Sequence, residues 1–137
     1  GRSKGSTPLQ ALGYYIPFIT SFINNMRKIE REMIQAIIDQ RDFHKANTMV
    51  RQGLNRSDVY LHGHHIASYY HDGSSSLMIA NAGYKTRTTK SRLNVLIQFV
   101  HGGLSGLIQK NKEWFLLLPT ASGDIQDFPW SGALTSV

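Results

Sequence analysis

The sequence contains no cysteine and few acidic residues: nine Asp and Glu stand against fifteen Lys and Arg in 137 residues. Without cysteine the chain has no disulfide, no thiolate nucleophile and no cysteine-ligated zinc site. The formal net charge of +6 favours an acidic partner such as nucleic acid. No apolar run approaches the ~18 residues that span a bilayer, so we expect a cytoplasmic protein with no membrane partner.

Catalytic signatures are lacking as well. The sequence has no G-x-S-x-G element, no paired-carboxylate motif and no Gly-rich phosphate loop. His62, His64 and His65 lie close together, but Gly63 predicts a turn that separates their side chains, and no H-E-x-x-H pattern occurs. We therefore expect a protein that is not an enzyme and binds neither metal nor cofactor.

An apolar stripe with the spacing 4, 3, 4, 3 predicts a long N-terminal amphipathic helix. A stripe of this width covers a sheet, or alternatively it forms the seam of a homo-oligomer. Its members are Phe22, Met26, Ile29, Met33 and Ala36.

Further along the chain the repeat of apolar residues changes from one every 3.6 residues, typical of a helix, to one every second residue, typical of a strand. Residues 59–61, 66–70 and 77–80 predict a three-stranded meander with turns at Gly63 and at Asp72-Gly73. Helical spacing then covers residues 93–100, and residues 107–109 and 114–118 flank a polar turn. The pattern predicts an α+β fold, with an antiparallel sheet of about five strands covered by helices.

Composition divides the chain into four parts. Residues 1–7 are expected to be a flexible N-terminus or a remnant of cloning, and residues 8–46 a helical N-terminal region. Residues 47–123 form the predicted α+β core. Residues 124–137 form a C-terminal tail, in which Phe128-Pro129-Trp130 is expected either to dock onto the body or to remain loose. Polar residues between Asp42 and Asp58 indicate a linker with one short strand.

The most informative segment runs from Lys85 to Arg92 and carries four cations and four hydroxyls directly before the second helix. Cations at a helix N-terminus cost roughly 0.3 to 1 kcal/mol, and a bound anion would remove the conflict. The segment therefore predicts a phosphate-binding surface, with Thr88 also serving as N-cap; the alternative is an ordinary capped helix with solvated cations. The predicted binding residues are Lys85, Arg87, Thr88, Thr89, Lys90, Ser91 and Arg92, extended by Lys110 and Lys112.

Tyrosines are interleaved with this basic sequence. Tyr60, Tyr69, Tyr70 and Tyr84 lie in or beside the predicted meander. On an exposed face their rings could stack on unpaired bases, whereas on a covered face they would pack in the core.

Three elements occur together in one order: L-H-G at 61–63 with Ile66-Ala67, T-T-K-S-R-L-N at 88–94, and Q-K-N-x-E-W-F at 109–115. With them the chain resembles, over roughly residues 47–118, a group of small proteins encoded by tailed bacteriophages. The resemblance implies a phage origin, and it brings no assigned activity and no catalytic residues.

These observations predict a phage accessory protein that binds nucleic acid, without catalysis, through the basic segment. The host cytoplasm would be its place of action. The alternative is a protein-interaction module that binds and modulates an acidic host protein, with homo-oligomers formed through the helical stripe.

Overall fold

A computed structural model of the protein describes residues 26–74 and 76–137, which contain two helices and nine strands. The elements follow in the order α1 (Lys28–Asp39), β1 (Phe43–Lys45), β2 (Thr48–Gly53), β3 (Arg56–Leu61), β4 (His64–Tyr70), β5 (Leu77–Ile79), α2 (Arg87–His101), β6 (Gly106–Lys110), β7 (Glu113–Pro119), β8 (Ile125–Trp130) and β9 (Thr135–Ser136).

The strands form two antiparallel sheets. The large sheet has the order β1-β2-β3-β4-β5-β9, and the small sheet has the order β6-β7-β8. The meander β3-β4-β5 and the hairpin β6-β7 lie where the period-2 pattern predicts them. The hairpin belongs to the small sheet, however, and not to the sheet that contains the meander.

The predicted fold class, an α+β protein with about five strands and a long N-terminal helix, is wrong. Within the described residues the fold is mostly β, and α1 has 12 residues. Four additional strands account for the difference: β1 and β2 lie in the segment interpreted as polar, and β8 and β9 lie in the predicted tail. Strand β1 was missed and β2 was predicted only as a short strand within a linker, because one face of the large sheet is uncovered and tolerates polar side chains such as Arg51.

Both helices pack on the same face of the large sheet and share its hydrophobic core. Helix α1 contacts β1 and β2, and α2 contacts β4, β5 and the small sheet's β6. Met33 and Ala36 of the predicted stripe are 0% exposed, and Met26 is 6% exposed. Ile29 is half-buried, and Phe22 lies outside the described residues. The described part of the stripe therefore covers the sheet, and little of it is left for contact with another chain.

Two short turns lie side by side at one end of the large sheet. The β3–β4 turn consists of His62 and Gly63 with φ angles of +52° and +80°, which glycine adopts without strain. The His62 N–H donates to the Asn47 carbonyl oxygen of the β1–β2 turn (2.8 Å). Both helices begin at this end, where Arg92 of α2 contacts Asn47 of the β1–β2 turn and Glu30 of α1.

Within the described ranges, neither helix has the length and apolar character that a membrane crossing requires.

Candidate nucleic-acid interface

Helix α2 begins at a threonine cap, but the cap is Thr86 and not the predicted Thr88. The Thr86 hydroxyl accepts a hydrogen bond from the Thr89 N–H (3.1 Å) and lies 2.9 Å from the Thr89 hydroxyl. Thr89 is 1% exposed. Its hydroxyl is thus part of the capping arrangement, and its burial contradicts a place on a ligand-binding surface.

Arg92 lies in the second turn of α2 and points into the protein, where it is 3% exposed. Its guanidinium donates to Glu30 of α1 (Nη1–Oε2, 2.8 Å) and to the Thr48 hydroxyl (3.1 Å). A longer contact joins Nη2 to the Asn47 side-chain oxygen (3.4 Å). Arg92 therefore ties α2 to α1 and to the start of β2.

Glu30 supplies a negative charge at the cationic start of α2, where a bound phosphate was predicted. Its Oε2 also accepts from the Ser91 hydroxyl (2.5 Å), and its Oε1 accepts from the Arg27 N–H (3.3 Å) at the start of α1. Two of the predicted phosphate ligands, Ser91 and Arg92, therefore donate to this carboxylate instead. No local signal could reveal the pair, because its partners are 62 residues apart and Glu30 sits in a stretch of mixed charge that is typical of a solvated helix face.

Three of the remaining predicted cations face solvent. Lys85, Arg87 and Lys112 are exposed, and none of them has a carboxylate within 4 Å among residues 26–74 and 76–137. Lys90 is half-buried, and its ammonium donates to the Gln109 side-chain oxygen (3.4 Å). Thr88 is half-buried in the first turn of α2.

Lys110 is held by other groups. Its ammonium lies 2.6 Å from Asp127 Oδ2 of β8 and 4.6 Å from the centre of the Phe115 ring. The hydrogen bond from Lys110 lowers the pKa of the Asp127 carboxyl, so the charged pair is retained to lower pH than an isolated carboxylate would be.

The structure brings the two predicted basic segments together. Strand β6 runs beside α2 in the opposite direction, as the contact from Lys90 to Gln109 and the hydrogen bond from the Leu107 N–H to Asn94 Oδ1 (2.8 Å) show. The β6–β7 turn with Lys112 therefore lies near the start of α2. Lys85 and Glu113, which follows Lys112, both line one open groove of about 750 Å³.

The start of α1 contributes two further cations that the phosphate-binding prediction did not include. Arg27 and Lys28 are exposed, and the contact of Glu30 with Ser91 places this helix start against the first turns of α2. We use the term basic end for the surface formed by Arg27, Lys28, Lys85, Arg87, Lys90 and Lys112. Its members come from three segments that are distant in sequence.

One aromatic pair adjoins the basic end: the His64 and Tyr84 rings lie 4.6 Å apart. The Tyr60 and His65 rings, 5.4 Å apart, lie on the face of the large sheet that the helices leave uncovered, because Tyr60 alternates with the buried Val59 and Leu61. Tyr69, in contrast, is on the covered face and contacts Phe99 of α2 (5.4 Å between ring centres). The tyrosines are therefore divided between the interior and the surface.

The groove beside Lys85 is lined mainly by apolar residues of β7 and β8. Trp114 and Trp130 lie 6.1 Å apart there. The Trp130 indole N–H donates to the Ala133 carbonyl oxygen (3.0 Å) and the Thr135 hydroxyl (2.9 Å) within the predicted tail. The pairing of β8 with β7 and of β9 with β5 anchors this tail to the body. The residues 26–74 and 76–137 contain no group of three histidine or acidic side chains placed to hold a metal ion.

The model of one protein family, described as Kyanoviridae Gp96 protein, matches residues 26–134. The match takes in every described element from α1 to β8. No curated protein and no solved structure shows significant similarity to the chain. The prediction of a tailed-phage protein family is confirmed, and the chain belongs to the Kyanoviridae Gp96 family of bacteriophage proteins.

Proposed function

We propose that the protein binds nucleic acid at the basic end, without catalysing a reaction, in the cytoplasm of the infected host cell. One observation carries the proposal. The start of α1 and the β6–β7 turn both lie beside the first turns of α2, so cations from three segments are gathered there, although 85 positions separate Arg27 from Lys112 in the sequence.

The expected contacts are with phosphate groups. Lys85, Arg87 and Lys112 have exposed cationic groups, and the Thr88 hydroxyl and the first-turn amides of α2 lie beside them. Neutralising phosphates releases condensed counterions, so affinity should fall steeply as salt increases. Contacts of this kind position the nucleic acid but carry little sequence information, so we expect weak sequence preference.

The test is a titration of fluorescently labelled oligonucleotides by anisotropy between about 50 and 200 mM salt. The double variant Arg87→Gln/Lys112→Gln should reduce the slope of log K against log [salt] by about two units. The matched control is Arg41→Gln/Arg51→Gln, which removes the same charge from residues outside the basic end. Its slope should remain close to that of the parent.

Two results would contradict the proposal. The first is the absence of detectable binding at the lowest salt concentration. The second is an equal loss in both double variants, because binding would then follow net charge and not this surface.

One observation favours a second candidate, which is self-association through the outer face of the small sheet. Phe115 and Leu117 alternate along β7 with the buried Trp114 and Leu116, so they lie on the face opposite the core. Ile108 and Pro129 are paired with Phe115 on the neighbouring strands and extend this face.

A second copy of the chain fits the outer face better than the acidic host protein of the alternative prediction. The rim carries both charge signs, in Lys110 and Asp127, and opposite charges can complement each other across a two-fold interface. Light scattering should then show a dimer that the variant Phe115→Ser dissociates. A protein that stays monomeric at every concentration would refute this candidate.

A further inference from the structure

An exposed aromatic pair stands at the basic end. Tyr84 is 47% exposed, and its ring lies 4.6 Å from that of the exposed His64, with an angle of 33° between the two planes. Tyr84 directly precedes Lys85, and Arg87 follows two residues later. A large apolar ring surface is thus presented to solvent among cations.

The backbone holds Tyr84 in place. Its N–H donates to the Asn81 carbonyl oxygen (2.9 Å), and the Gly83 N–H donates to the Asn81 side-chain oxygen (2.8 Å). Gly83 has a φ of +84° in this turn, where glycine avoids the strain that a side chain would introduce. The ring is therefore carried on a defined turn between β5 and α2.

Tyr84 also differs from the other tyrosines in the described residues. Tyr60, Tyr69 and Tyr70 are half-buried, so packing in the fold accounts for much of their surface. A smaller part of the Tyr84 surface is covered, because about half of this residue remains exposed. Among the described residues, His64 is the one aromatic ring that it contacts. A ring exposed beside phosphate-binding cations is the arrangement on which nucleic acid bases stack.

We propose that the Tyr84–His64 pair is a stacking platform for an unpaired base, and that the ligand is therefore single-stranded nucleic acid. This inference rests on the proposed function and specifies its substrate class. In a duplex the faces of the bases are covered by their neighbours, so an aromatic side chain reaches them only after unstacking. In a single strand the base is available, while Lys85 and Arg87 hold the adjacent phosphates.

The test compares single-stranded and duplex DNA of equal length. The parent should bind the single strand at least about fivefold more tightly, since stacking on one aromatic side chain contributes roughly a fivefold to hundredfold gain per base. Tyr84→Ala should remove this preference, and Tyr84→Phe, which keeps the ring, should retain it. Thermal unfolding of both variants checks that the fold is unchanged.

A second measurement reports stacking directly. The fluorescent adenine analogue 2-aminopurine, placed within the single strand, should be quenched on binding to the parent and to Tyr84→Phe but not to Tyr84→Ala. Equal affinity for both forms of DNA, or a Tyr84→Ala variant that behaves like the parent, would overturn the inference and leave the proposed function standing. Failure to bind either form would overturn the proposed function itself.

Discussion

The buried contact between Glu30 and Arg92 provides the most decisive stability experiment. These side chains are 2% and 3% exposed, and they join α1 to α2 with an Nη1–Oε2 distance of 2.8 Å. The perturbation is Arg92→Met, which keeps an apolar side chain of similar length and removes the cation. Glu30 is then left as a buried carboxylate without its counter-charge.

The expected cost follows from what Glu30 retains. Loss of one partner of a buried ion pair typically destabilises a protein by about 3 to 5 kcal/mol. Glu30 keeps its hydrogen bonds from the Ser91 hydroxyl and the Arg27 N–H, so we expect a loss near the lower limit, about 3 kcal/mol. In the double variant Glu30→Gln/Arg92→Met the carboxylate charge is absent, and a neutral amide can still accept from Ser91. The double variant should therefore be more stable than Arg92→Met alone.

Urea denaturation of the parent, the two single variants and the double variant gives four free energies of unfolding. Together they form a double-mutant cycle that measures the coupling between Glu30 and Arg92. Additive single effects, or a cost below about 1 kcal/mol for Arg92→Met, would refute the assignment of a buried and coupled pair. Nucleic acid binding supplies an independent check. At a temperature where it is folded, Arg92→Met should keep the parental salt slope, because Arg92 does not reach the surface.

Two further predictions concern the small sheet and the C-terminal segment. By NMR titration, the Asp127 carboxyl should have a lowered pKa that returns towards its ordinary value in Lys110→Met, because the hydrogen bond from Lys110 causes the shift. The stabilising contribution of this carboxylate is present at neutral pH and is lost as the pH falls through the lowered pKa. Gly132→Ala should lower the free energy of unfolding by about 1 to 3 kcal/mol in urea denaturation, because the added methyl group would overlap the Asn81 side-chain amide. Gly73→Ala is the control, since Gly73 has a similar positive φ but open space around it; an equal loss in both variants would contradict a steric cause.

The meander, the second helix and the β6-β7 hairpin, which were predicted from local patterns, are present. The meander has alternating apolar residues and tight turns at His62-Gly63, and the hairpin β6-β7 closes through Asn111 and Lys112 with φ angles of +52° and +69°. Such signals depend on residues a few positions apart, so they can be recognised without knowledge of the tertiary fold.

The strands that were missed depend on distant partners. Strand β9 has two residues and exists through its pairing with β5, about 57 positions earlier in the sequence. Strand β8 contains Pro129, which argues against a central strand but is tolerated at the edge of the small sheet. Neither strand has a strong pattern of its own, because its stability comes from the neighbour to which it binds.

The candidate site shows the same division. Composition and order establish the excess of positive charge and the membership of a phage protein family. They also indicate that α2 begins at a threonine cap, although the cap is Thr86 and not the predicted Thr88. Tertiary packing alone decides which cations are buried in ion pairs and which remain exposed to solvent. It buries Arg92 against Glu30 and brings Arg27 and Lys112 to the exposed Lys85 and Arg87. The physical reason is that the energy of a charged side chain depends mainly on the opposite charges closest to it in space. For Arg92 that charge is Glu30, which is 62 residues away in the sequence.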